Sequence, residues 1–386
     1  MSERGAEIWV LVSNDLTHDQ RVLKTCRSLA SVGFKPQLVG RLLPASTDPP
    51  KAFPAHRLML RFHAGAFFYA LLQIRMTLFL LRRARGAAGV WANDLDTLLP
   101  AFLVAKWFRL PLVYDSHELF TEAAGLTGRP VPRAVWVWVE RLLVPNLKVM
   151  LTVNDSIADV FHRRYRHGKA GRPLVVRNMP MKRSEAGASN GRAPILAAGL
   201  SIQDGPLGII QGAFLDADRG VREAVEVLAV RPSWQLLVVG AGPEWDWASA
   251  QTSRFPGRLH LLPKQPYETL AGLTRSADWG FSLDKPAHGN YIMSLPNKLF
   301  DYIHAGVPVV ASPLVEVARI VEQHGVGVLI EDHAPENIAA AVDKVLARPR
   351  AEWGRQCEKA SAVLNWEAEE PLLREALVRA GFKKPG

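Results

Sequence analysis

Short β-branched or leucine-rich runs alternate with polar or glycine-bearing loops and then with stretches whose apolar positions recur at helical spacing. This alternation predicts parallel sheets covered by helices. In the first half the expected strands are Ile8–Val12, Gln37–Gly40, Val90–Trp91, Leu112–Tyr114, Val149–Val153 and Leu174–Val176, with helices over Gln20–Val32, Leu98–Phe108 and Ser156–Tyr165. From Met181 to Ala193 the text turns polar, KRSEAGASNGRA, with no apolar period to bury, as an interdomain linker does. A second series follows: strands near Leu207–Ile210, Gln235–Val239, His260–Leu262, Trp279–Leu283, Val307–Ala311 and Val326–Ile330, with helices near Val221–Ala229, Tyr267–Arg275, Asn297–Ala305 and Glu336–Leu346. The expected architecture is α/β, two Rossmann-like doubly wound domains facing a central cleft. Its parts are residues 1–180, a linker at 181–193, residues 194–364, and a segment 365–386 returning to the first domain. Ligands of such sheets bind outside the carboxyl ends of the strands, so the loops there carry the chemistry.

The length of 386 residues, with 48% apolar and 22% charged residues, suits two globular domains and excludes a disordered or fibrous chain. Two cysteines, Cys26 and Cys357, make no disulfide framework, so a cytoplasmic location is expected, with membrane association as an open addition. No export signal is visible. The greasy region Phe62–Leu80 is interrupted by His63, Gln73 and Arg75 and does not read as a clean membrane span. Its mixture of Phe67, Phe68, Tyr69 and Phe79 with Arg57, Arg61, Arg75, Arg82, Arg83 and Arg85 suits an anionic membrane surface or a buried helix with solvated ends. The formal charge of +10 attracts phosphate-rich partners without choosing among them. No nucleic-acid-reading module is recognisable. Trp136 and Trp138 stand two apart and cannot share a helix face, so one belongs to the core and the other to a surface.

Chemistry gathers after the strands. Gly240-Ala241-Gly242-Pro243 follows one of them, where glycines let the backbone approach a ligand or simply make a tight turn into a helix. In Ser294-Leu295-Pro296-Asn297-Lys298 a helix start offers free amides and a favourable dipole to phosphate, and Lys298 adds a full charge. Asp301, three residues after Lys298, suits two hydroxyl donors of a ribose or an ion pair with that lysine. Asp115-Ser116-His117-Glu118 ends a strand of the first half, where His117 serves either a reacting centre or a helix cap. Asp115 and Glu118 do not make the spaced carboxylate pair of a glycoside hydrolase. Asn14, Asp15, His18, Asp19 and Arg21 after the first strand suit an acceptor or a phosphate, or cap the next helix. Nothing completes a metal shell around them. Asn93, Asp94 and Asp96 begin a further helix.

SLPNKLFDYIHAGVPVVAS, with VVGAGP upstream and YDSHELF in the first half, resembles the nucleotide-sugar-dependent GT-B glycosyltransferases, in particular the retaining glycosyltransferase family four. The likeness runs from NDLTHDQRV to NWE. It implies that Asp301, five residues before Gly306, holds the donor ribose, that Arg219 grips the diphosphate, and that His117 lies near the donor sugar. Gly240, Gly242, Ser294, Leu295, Asn297 and Lys298 would complete the donor site, with Asp15, His18 and Arg21 on the acceptor side. Two positions depart from the family pattern: Ala224 stands where a lysine accompanies the arginine, and Met293 where a glutamate holds sugar hydroxyls. Backbone amides near Ser294 are the expected substitute. The implied activity is transfer from a nucleotide diphosphate sugar to a glycan, lipid-linked or small-molecule acceptor, with retention and with neither metal nor cofactor. The alternatives are a nucleotide-sugar epimerase and a catalytically silent sugar-nucleotide-binding partner.

Overall fold

The computed structural model describes residues 6–17, 19–44, 46–49, 51–182, 191–287 and 289–384, and its chain divides into two compact units. Unit 1 comprises Met1–Asn178 with Glu369–Gly386, and unit 2 comprises Met179–Ala368. Unit 1 contains β1 (Glu7–Leu11), β2 (Lys35–Leu42), β3 (Ala55–Met59), β4 (Gly89–Asn93), β5 (Leu112–Ser116), β6 (Met150–Thr152) and β7 (Leu174–Val175). They form one sheet in the order β3-β2-β1-β4-β5-β6-β7, each neighbouring pair parallel. Ile8, Val10, Leu11, Val90, Trp91 and Ala92 are fully buried, which is why β1 and β4 read as unbroken apolar runs: helices cover both faces.

Unit 2 contains β8 (Leu207–Gly212), β9 (Gln235–Gly240), β10 (Leu259–Pro263), β11 (Trp279–Ser282), β12 (Val309–Ala311) and β13 (Gly327–Leu329), ordered β10-β9-β8-β11-β12-β13 and again parallel. Successive side chains of a strand face opposite ways, and the core splits accordingly. Ile209, Leu237 and Val239 pack with Leu299, Phe300 and Tyr302 on one face, while Ile210, Leu236 and Val238 pack with Val225, Leu228 and Val342 on the other.

In both sheets the strand order reverses beside the first strand of the unit, between β1 and β4 and between β8 and β11. In doubly wound sheets the loops leaving such a pair diverge, and ligands bind there, beyond the carboxyl ends of the strands. That topology locates each candidate site.

Two features differ from expectation, the strand Ala55–Met59 and the helix Gly65–Arg83. Ala55–Met59 is a half-buried edge strand whose alternation is too weak to read. The helix Gly65–Arg83 is neither buried nor interrupted: Phe68, Leu72, Met76 and Leu80, four apart, form its one buried stripe, and Phe67, Ile74 and Leu78 face solvent. By length and composition this helix would suffice to cross a membrane. The chain re-enters unit 1 along the helix Trp366–Ala380, where Ser28 Oγ donates to Glu370 Oε1 (2.8 Å) and the ring of Phe382 meets Phe34 edge-on at 5.8 Å. Residues 183–190 of the expected linker lie outside the described residues.

Candidate functional site

At the β8/β11 reversal of unit 2, a short turn after β8 carries Arg219, and the loop after β11 carries Asp284. Arg219 Nη1 lies 2.9 Å from Asp284 Oδ1, and Lys298 Nζ lies 3.0 Å from Asp284 Oδ2. Gly220 makes the first of these contacts feasible. Its φ of 73° suits glycine, and a Cβ there would lie 2.4 Å from Leu283 O, so the turn can press against the β11 loop only without a side chain. The Asp284 carboxylate is wholly buried; burial opposes its charge, but Lys298 and Arg219 hold it below the usual carboxylate range. Burial draws the Lys298 ammonium below its ordinary range despite Asp284 beside it. Arg219 keeps 29% of its side chain exposed over the Tyr291 ring (4.7 Å), whereas Lys298 keeps 7%. An arriving anion would therefore meet the guanidinium, with the lysine and the carboxylate behind it.

Lys298, expected as a helix-start phosphate ligand, is buried and paired with Asp284. Asn297, exposed, is the first residue of the helix Asn297–His304, with Pro296 before it. One turn on, Asp301 accepts from Gln211 Nε2 (3.3 Å) and Tyr267 OH (3.3 Å), and Thr274 Oγ1 fixes Gln211 in turn through Oε1 (2.8 Å). Leu295 packs on the unit 2 core. The Ser294 N–H donates to Tyr291 O (3.0 Å) and so is not available to a sugar; its Oγ is the group left buried without a hydrogen-bond partner.

Gly240 and Gly242 are required by the chain itself. A Cβ at Gly240 would lie 2.2 Å from Gly212 O, and one at Gly242 2.8 Å from Leu215 O. Ala224 is 1% exposed, packed in the core with Val221 and Val225, so that helix offers no cation at the position.

In unit 1 the β1/β4 reversal gathers a network around Asp115 at the end of β5. Arg21 is 3% exposed; Nη2 and Nε reach Asp115 Oδ1 (2.7 Å) and Oδ2 (3.1 Å), and Nη1 donates to Val176 O (2.7 Å). The expected acceptor-side arginine is thus a buried strut. Asp15 accepts from Thr17 N–H and Ser46 Oγ, Asp19 caps the helix Gln20–Ser31 through Val22 N–H, and His18 lies outside the described residues.

His117 sits between carboxylates: Nδ1 is 3.5 Å from Asp94 Oδ2, and Nε2 is 3.6 Å from Asp115 Oδ2 and 3.2 Å from Asn93 Oδ1. Burial disfavours its charge, yet Asp94 and Asp115 outweigh that and push it up to about 9. It is an imidazolium at neutral pH, with both ring nitrogens facing oxygens of its own unit. Arg21 and His117 balance Asp115 and Asp94 in one charge network.

Residues 215–348 match the family model described as Glycosyl transferases group 1. The chain is 29% identical over 151 residues to D-inositol 3-phosphate glycosyltransferase of Segniliparus rotundus, an alignment covering 37% of this chain and 32% of that protein, so the match spans about a third of the curated relative's length. Among solved structures, sucrose-phosphate synthase from Thermosynechococcus elongatus superposes with a TM-score of 0.75 at 19% identity, covering 97% of this chain and 98% of the other. The Anabaena protein HepE in complex with UDP-glucose superposes with a TM-score of 0.71 at 13% identity, covering 96% and 99%.

Proposed function

Because the chain takes the GT-B fold and carries a Glycosyl transferases group 1 domain in residues 215–348, we propose that it transfers a glycosyl group from a nucleotide diphosphate sugar. The observation that carries this reading is the half-buried Arg219 held by the buried Asp284–Lys298 pair at the β8/β11 reversal, with Asp301 one helical turn from Lys298. Arg219 binds the diphosphate and stabilises the charge that grows on it as the sugar departs. Asp301, oriented by Gln211 and Tyr267, accepts the ribose hydroxyls. A cation and helix amides together supply the positive field that a divalent metal provides elsewhere, and the reaction is assigned retention without metal or cofactor. The solved relative's UDP-glucose makes a uridine nucleotide the first donor to test.

Unit 1 is assigned the acceptor. His117, charged and hydrogen-bonded within its unit, acts there as a fixed cation near the reacting sugar and not as a base. Three helices packed side by side on unit 1 leave large apolar groups in solvent: Phe67 and Ile74, Trp107 on Leu95–Phe108, and Val131 and Trp138 on Pro130–Leu143. Exposed Arg75, Arg82, Lys106 and Arg141 accompany them, the chemistry of an anionic bilayer surface. A cytoplasmic enzyme docked on its membrane and acting on a lipid-linked acceptor is the form this reading takes.

The test is calorimetric titration of the full chain with UDP and a panel of nucleoside diphosphate sugars, followed by product analysis with candidate acceptors. Transfer supports the proposal. An epimerised donor, or binding without turnover, replaces it by the other two readings.

A further inference from the structure

The strand β7 forms one edge of the unit 1 sheet, and a cavity of about 580 Å³ opens along it. Its wall joins Asp155, at the start of the helix Asp155–Arg164, to the chain around β7 and to Leu372 and Arg379 on the helix Trp366–Ala380. Three arginines and one aspartate supply all the charged side chains of that wall, a surplus of two positive charges. Arg172 Nη2 and Arg177 Nη2 reach the two oxygens of one carboxylate, Asp155 Oδ1 (2.8 Å) and Oδ2 (3.3 Å), so two guanidiniums are fixed side by side. Arg172, Arg177 and Arg379 keep 40%, 28% and 45% of their side chains exposed and are open to a ligand. Their other carboxylate partners, Asp159, Glu369 and Glu375, stand outside the wall. Among the described residues, Arg172 Nη1 and Arg379 Nε and Nη1 donate to no protein acceptor.

The chain approaching the cavity is basic as well. From His162 to Arg172 it carries Arg163, Arg164, Arg166, Lys169 and Arg172 and no acidic residue. Cations in the last turn of a helix suit its dipole, which accounts for Arg163 and Arg164. Arg166, Lys169 and Arg172 lie beyond the helix end and are exposed, so their field serves something else. Exposed ion pairs contribute about 0–1 kcal/mol each, too little for stability to explain three arginines on one cavity.

Guanidinium forks match the oxygens of a phosphate, and a phosphate monoester carries close to the two negative charges that the wall lacks. The volume lies within the range of small-molecule sites. Leu174 and Leu372 on the wall are half-buried and offer no protruding apolar group to a bilayer, which favours a soluble ligand. β7 stands three strands from β4, about 14 Å at ordinary strand spacing, so the cavity is separate from the β1/β4 reversal. We propose that the β7-edge cavity binds the phosphate monoester group of a small soluble molecule through Arg172, Arg177 and Arg379. The inference stands independently of the transferase reading.

The experiment titrates the full chain by calorimetry with inorganic phosphate, glycerol 3-phosphate and glucose 6-phosphate, with D-glucose as the neutral control. At least one phosphate is expected to bind with a Kd below about 1 mM, and D-glucose not to bind. Arg172→Ala and Arg379→Ala should each weaken that binding about tenfold or more. Arg254→Ala, which removes a comparably exposed arginine of unit 2, should leave it unchanged. Arg379 pairs only within its own helix, so Arg379→Ala decides the matter if Arg172→Ala fails to fold. Absence of phosphate binding, equal binding by wild type and a folded wall variant, or an equal loss in Arg254→Ala overturns the site. Binding to phosphatidic acid vesicles without binding to the soluble phosphates also overturns it and assigns the arginines to an anionic surface. Failure of UDP to bind the wild type would remove the transferase reading and leave these outcomes as they stand.

Discussion

Replacing Asp301 by alanine removes a charged acceptor that Gln211 and Tyr267 hold in place, so nucleoside diphosphate affinity should fall about 10- to 100-fold at unchanged melting temperature, equivalent to about 1.5–3 kcal/mol for a hydrogen bond to a charged group. Calorimetry with UDP measures it, and unchanged affinity would exclude Asp301 from the site. Arg219→Ala carries a different signature: because the guanidinium can bridge phosphate oxygens, the preference for UDP over UMP should vanish, whereas a merely structural arginine would leave that ratio alone. His117→Ala exposes the opposite error. Its ring holds Asp94 and Asp115 together, so the variant should lose about 1–3 kcal/mol and melt several degrees lower. A melting temperature equal to wild type would return His117 from the charge network to a purely substrate-facing role.

The helix Gly65–Arg83 carries much unspent apolar surface. Its buried residues repeat every fourth position, so its other sides can carry Phe67, Ile74 and Leu78 in water at no cost to packing. A paired substitution, Phe67→Ser with Trp138→Ser, should cut co-sedimentation with anionic phosphatidylglycerol vesicles at least fivefold and leave UDP binding intact. Equal sedimentation would assign the apolar strip another role. Binding of wild type should weaken with added salt, since the arginines act over about a Debye length of 8 Å at physiological ionic strength.

Across the whole molecule the buried charges shape stability against pH. Asp284 and Asp115 titrate below their ordinary range, held by Lys298 and Arg219 and by Arg21 and His117 against the cost of burial. Their contribution is present above the ordinary carboxylate range and is lost as pH falls through the depressed values. His117, pushed up from 6.5 to about 9, contributes stability that is complete below pH 6.5 and disappears as pH rises through 9. Asp96 acts against the fold: raised from 3.8 to about 7, it makes the folded chain bind more protons across that window, so stability declines there by on the order of 4 kcal/mol. Asp96→Asn should therefore raise the melting temperature at pH 8 and change it little at pH 4. A variant equally stabilised at both values would show that the carboxyl does not titrate in that window.

The linear order of residues was sufficient for most of the alternation of strands and helices, because apolar period and strand-ending glycines are local properties of the chain, but not for the edge strand Ala55–Met59. Helix starts and i, i+3 spacing, local as well, brought Lys298 and Asp301 forward, and the family resemblance added Arg219. The linear order could not indicate Asp284, which follows an ordinary strand. Asp284 becomes central only because β11 lies beside β8, a neighbour 65 residues from Arg219 in sequence. The same holds for Asp96 and Gln73: one stood in a readable helix start and the other was read as an interruption of a greasy run, and only packing left their oxygens buried without partners. Arg21 and His117 invited roles at a ligand because charge after a strand suggests a site. Tertiary structure adds that they neutralise Asp115 and Asp94, because a carboxylate buried in a low-dielectric interior needs compensation from whatever cation the fold brings within reach.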